Sequence, residues 1–162
     1  MLTAPHFEAI GRLVYRSTLM ESRICYLLLI LRNEGLDGWA AELKKFRFSK
    51  ALEELKTFVP RAYPSRLEQV LASLKEADDL NSKRNDIVHG LWRLPAEDLF
   101  GPAAHDIVGV GSAARAFRVP ATKDAGPYSV SYTAEQIEAV AQKMQSVTVE
   151  LVKLSLYRET AR

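Results

Sequence analysis

SRLEQVLASLKEADDLNSKRNDIVHG, Ser65 to Gly90, decides how the rest of the chain is read. It follows Pro64, a residue accepted at a helix start because its missing N–H is not needed there, and contains no glycine or proline before Gly90. Leu67, Leu71 and Leu74 recur at steps of four and three, so the spacing predicts a helix that starts at Pro64-Ser65 and buries a leucine stripe. Later turns place Asp78, Asn81 and Asn85 on the continuing face, so the inward surface is expected to turn polar just ahead of RNDIVHG, Arg84 to Gly90. Gly90 is the expected C-terminal stop.

Working outward, the chain on the N-terminal side predicts a first helix from about Pro5 to Asn33, with Phe7, Ile10, Val14, Ile24, Leu28 and Leu31 on one stripe. Ser17 and Glu21 interrupt that stripe. A carboxylate facing a core needs a cationic or hydrogen-bonding partner to offset its desolvation, and Arg84 is the candidate partner for Glu21; the alternative is a Glu21 that bends out to solvent from the edge of the stripe. NEGLDG, residues 33–38, ends this helix with two glycines. A second helix of about ten residues is expected from Ser49, with Pro60 and Pro64 bracketing the next break.

On the C-terminal side, prolines and glycines punctuate residues 91–132, and two alternating runs, AFRV and YSVSY, read as strands joined through ATKDAGP. Thr133 and Gln136 form a capping box, and Ile137, Val140, Met144, Val147, Leu151 and Leu154 make the cleanest amphipathic pattern of the chain. The fold expected is mainly α, a bundle of four or five helices in one domain over residues 1–162, with residues 91–132 a loop and β-hairpin insertion between the last two long helices. No internal repeat or low-complexity segment interrupts it.

Length and composition bound the function. With 162 residues, 48% of them hydrophobic, the chain can bury one core, and its net charge of +2 announces no global field for nucleic acid or membrane. Any RNA affinity must come from a local patch. The longest apolar run, Ile24 to Leu31, is far shorter than the roughly 20 residues a membrane span needs. The N-terminus lacks the pattern of a signal peptide, and the single Cys25 fits a reducing compartment, so the expectation is a cytoplasmic protein. His6, His89 and His105 are widely separated and, with one cysteine, offer no zinc spacing, so neither a metal nor a cofactor is expected. GVGSAA, residues 109–114, has glycines in a dinucleotide-like pattern but no strand–turn–helix unit around it.

Chemistry is legible in RNDIVHG. Asn85 and His89 are four apart and share a helix face, and the long Arg84 side chain can lean toward the same spot, so the three can converge on a phosphate. Histidine exchanges protons near neutral pH, a helix C-terminus favours its charged form, and the planar arginine fork matches phosphate oxygens. Asn85 suits orientation of His89 or a bond to a phosphate oxygen. The blander reading is an ordinary helix end, with Arg84 paired to Asp78, Asp79 or Glu21.

Arg84, Asn85 and His89 resemble the signature of the HEPN superfamily, small helical bundles in which an arginine, commonly followed by a polar residue, precedes a histidine by four to six residues on one helix. The resemblance covers roughly Phe7 to Trp92 and Thr133 to Arg158. It implies a metal-independent ribonuclease that uses Arg84 and His89 in a site built across a homodimer, and a place in a toxin or defence system with an antitoxin-like partner. The superfamily also includes binding and regulatory versions, so the alternative is a non-catalytic interaction or nucleotide-binding module. One histidine per chain is a weak apparatus for a two-proton reaction, and a two-fold dimer supplies two. Lys44, Lys45, Arg47 and Lys50, interleaved with Phe46 and Phe48, are candidates for RNA contact, as is Trp92; a solvated helix start and a core tryptophan are the plainer readings.

Overall fold

The computed structural model of the chain describes residues 4–34, 39, 44–89, 91–92, 114–118 and 128–157, of which 89, 91–92, 114–118 and 128–131 are described by backbone alone. It is mainly helical. Among the described residues four α-helices carry it: α1 (Ala4–Arg32), α2 (Phe48–Ala62), α3 (Leu67–His89) and α4 (Ala134–Leu156), with a 3-10 turn, Pro64–Arg66, leading into α3. None of the described helices is long and apolar enough to cross a membrane.

Each helix exists because one face is apolar at three- and four-residue steps, and short helices are marginal in water without such burial. On α2 the buried residues are Ala51, Leu52, Leu55, Val59 and Ala62. On α4 they are Ile137, Ala141, Met144, Val147, Leu151 and Leu154, the expected stripe except that Ala141 is buried and Val140 only half-buried. The capping box at the head of α4 is formed in both directions: Gln136 N–H donates to Thr133 Oγ1 at 3.2 Å and Thr133 N–H donates to Gln136 Oε1 at 2.8 Å. Glu135 follows in that first turn. Its carboxyl is held below the ordinary range by its own backbone N–H and by the Thr133 hydroxyl.

The N-terminal half of α1 buries a different stripe from the one the spacing predicts, while Ile24, Leu28 and Leu31 are buried as expected. Phe7 is 61% exposed and Ile10 and Val14 are half-buried, whereas His6, Ala9, Leu13, Ser17 and Met20 are buried and lead into Ile24, Leu27, Leu28 and Leu31. The register is offset by about one residue because Ala9, Leu13 and Met20 continue the line of Ile24 and Leu28 better than Phe7, Ile10 and Val14 do. That line carries two polar side chains, His6 and Ser17, inward. The helix ends not on a glycine but on Asn33, at φ 56° in the left-handed region that asparagine tolerates. Glu34 N–H donates to the Leu29 carbonyl at 3.0 Å and Asn33 N–H to Ile30 at 3.1 Å, the two bonds of a Schellman stop. The glycines of NEGLDG lie outside the described residues.

α2 is also longer than expected, 15 residues rather than about ten, and runs through Pro60. Proline cannot donate to the carbonyl of Lys56, but both residues are exposed, so water reaches the carbonyl and the last turn survives. Tyr63 N–H closes it on Val59 at 2.9 Å.

The chain divides into two compact units, one of residues 1–14 and 82–141, the other of residues 15–81 and 142–162. In the first, Arg12 Nε donates to Glu138 at 2.6 Å, joining the start of α1 to α4. In the backbone of the same unit, β2 (Ala114–Arg118) runs antiparallel to β3 (Tyr128–Tyr132), Ala116 opposite Val130, and β1 (Leu91–Trp92) pairs with the other edge of β2. In the second unit the buried faces of all four helices form the core. Arg32, at the end of α1, grips Glu54 of α2 with two nitrogens, at 2.6 and 2.5 Å. The buried Tyr63 hydroxyl donates to the Leu154 carbonyl on α4 at 2.6 Å.

Two outcomes follow from this packing. Gly11 lies within α1 with nothing within 4 Å of where a Cβ would stand, so Gly11→Ala should raise stability by about 0.5–1 kcal/mol by restricting the unfolded chain, measured by urea denaturation. The Arg32 guanidinium holds the Glu54 carboxyl below its ordinary value. The stabilisation is therefore complete above the unfolded glutamate value of about 4.3 and is lost as pH falls through the lower folded value. Glu54→Gln should be less stable than the parent at neutral pH and lose less stability on acidification, compared by urea midpoints across pH 2 to 7.

A charged residue on the buried stripe of α3

The buried residues of α3 are Val70, Leu74, Ala77, Leu80 and Ile87. Leu71 is 36% exposed and Asp78 is exposed, so two positions expected to face inward do not, while Asn81 and Asn85 are half-buried. As on α1, the true face is offset from the one chosen by leucine spacing; Val70, Ala77 and Leu80 extend the line through Leu74. The offset moves Arg84 into view. It stands four residues after Leu80 and three before Ile87, where the stripe calls for an apolar side chain.

Arg84 is half-buried and its Nε is buried. One terminal nitrogen, Nη1, donates to Asn85 Oδ1 at 2.9 Å. Because a guanidinium only donates, the Asn85 amide must present its oxygen here, which leaves its NH2 as a donor for another acceptor. The contact orients one arm of the arginine fork. His89 is the last residue of α3, one turn after Asn85 and on the same helix face by backbone position. Its side chain, Gly90 and the side chain of Trp92 lie outside the described residues.

Of the other expected site residues, Glu21 is half-buried on α1, in the second unit. Lys44, Lys45, Arg47 and Lys50 are exposed in the second unit, and Phe46 and Phe48 between them are half-buried. Among the described residues no group of three or more histidine, cysteine, aspartate or glutamate side chains is placed to hold a metal ion. Ser17 is buried on the α1 stripe where its spacing puts it, but spacing alone missed the inward His6, whose signal is its place on the same three- and four-residue line as Leu13 and Met20.

No protein-family model, curated protein or solved structure matches the chain.

A charge on a buried stripe costs desolvation that a methionine of similar length would not incur. Arg84→Met should therefore unfold within about 1 kcal/mol of the parent, measured by urea denaturation. A loss above about 2 kcal/mol, the size expected when a structural polar network is broken, would assign the arginine to holding the fold.

Proposed function

We propose that this chain is a HEPN-like, metal-independent endoribonuclease. The observation that supports it best is Arg84, a permanent cation kept on the otherwise apolar line of α3, with its fork oriented by Asn85, one turn ahead of a histidine that ends the helix. In this reading the 2′-hydroxyl next to the scissile phosphate attacks phosphorus and gives up its proton to a base. The bond from phosphorus to the 5′-oxygen breaks, an acid protonates that oxygen, and a 2′,3′-cyclic phosphate remains. His89 takes part in proton transfer, Arg84 stabilises charge on the phosphorane oxygens, and Asn85 orients. A homodimer with a two-fold axis supplies the second histidine, so that one ring accepts as the other donates. Action in the cytoplasm within a toxin or defence system, restrained by an antitoxin-like partner, belongs to the same proposal.

The half-burial of Arg84 favours a second reading, a non-catalytic interaction module of the same fold in which the motif is a seam between subunits or a nucleotide pocket. Cleavage separates the two. Purified protein incubated with a mixed RNA pool in excess EDTA should yield fragments ending in 2′,3′-cyclic phosphate. Arg84→Met and His89→Gln, each confirmed folded, should each lower the rate by about 100-fold or more. No cleavage by the parent, or equal cleavage by all three proteins, would leave the module as the better account.

A further inference from the structure

The segment Lys44–Lys50, in the second unit, joins two properties, the first of them charge. Lys44, Lys45, Arg47 and Lys50 are all exposed, and none has a carboxylate within ion-pair distance among the described residues. The next two carboxylates along α2 are committed elsewhere: Glu53 to Lys56 at 2.7 Å and Glu54 to Arg32. Lys50 contributes only a weaker pull on Glu54, behind that of Arg32. Four positive charges therefore lie within seven residues of chain that is otherwise free of acidic side chains.

The second property is aromatic. Arg47 caps α2 in extended conformation, φ −129° and ψ 108°. In extended chain alternate side chains point the same way, which matches the contact seen: the rings of Phe46 and Phe48 meet edge to face, centroids 6.4 Å apart and planes at 84°. Neither is buried in the core; both keep part of their surface in solvent. Cations alone would attract any polyanion. Exposed aromatic surface set between cations is suited to unpaired bases, which stack on rings while their phosphates meet the cations, and a duplex keeps its bases out of reach.

We infer that Lys44–Lys50 is a binding surface for single-stranded RNA, with Lys44, Lys45, Arg47 and Lys50 on the phosphates and the Phe46–Phe48 pair under the bases. As the identity of a substrate, this rests on the ribonuclease reading; as a binding surface it does not.

The test uses the intact protein and a fluorescent 2′-O-methyl oligouridylate of about 16 nucleotides, which cannot be cut by 2′-hydroxyl attack, followed by anisotropy across a salt series. The single strand should bind about tenfold or more tighter than a duplex of equal length. Replacing the four cations by alanine should flatten the dependence of log affinity on log salt by about 3, from about 0.7 per phosphate contact on single strands. Phe46→Leu should weaken binding about tenfold with an unchanged salt slope, and Phe46→Tyr should keep it near the parent. Equal binding of duplex or of polyglutamate would overturn the inference in favour of a general anion patch or an acidic protein partner. So would an unchanged slope in the four-cation variant. Single-strand binding that needs the cations, in a protein that cleaves no RNA, would sustain the inference while the ribonuclease reading falls. His89-dependent cleavage with binding unchanged in the four-cation variant would do the reverse.

Discussion

The constraint on which the structure depends is the continuity of a buried line along each long helix. A helix of 15 to 29 residues is held mainly by packing of its apolar face, so whatever falls on that line must either be apolar or find a reason to be tolerated. On α2 and α4 the line is apolar throughout. On α1 it carries His6 and Ser17, and on α3 it carries Arg84. An arginine is the most expensive of these, since its charge persists at every accessible pH. Its Nη1 bond to Asn85 Oδ1 lies at the point where this otherwise apolar line turns polar.

The same constraint explains which parts of the fold were legible from the residues. Helix existence was, because every stripe has the right period, and the head of α4 was, because Thr133 and Gln136 pair only if a helix starts there. Stripe register on α1 and α3 was not. Both helices offer two apolar lines about one residue apart, Phe7–Ile10–Val14 against Ala9–Leu13–Met20, and Leu67–Leu71 against Val70–Ala77–Leu80. Side-chain size favours the first of each pair; alanine and valine, small but buried in full, belong to the second. Pro60 misled for a related reason, since a proline ends a helix only where the carbonyl it abandons has no other donor.

For the candidate site, spacing alone places Asn85 and His89 on one face of a helix, and the backbone of α3 has them there. Spacing did not reveal that Asn85 holds the arginine directly, because neighbouring residues on a helix point about 100° apart and only a long side chain folding back makes the contact. Nor could it show where Glu53 and Glu54 spend their charge, which is a matter of three dimensions.

The bond from Tyr63 to the Leu154 carbonyl has a consequence for how the chain reaches this state. It joins residues 91 apart, whereas the Arg32 grip on Glu54 spans 22. Loop-closure entropy rises with the logarithm of separation, so closing the longer loop costs about 1.2 kcal/mol more. Local pairing of α1 with α2 is therefore the cheaper early event, and capture of the end of α4 by the Tyr63 hydroxyl belongs late. The last turn of α4 is in this sense a latch: it closes a longer loop than the pairing of α1 with α2, and its amides should be among those that exchange with solvent on the timescale of its own release rather than of global unfolding.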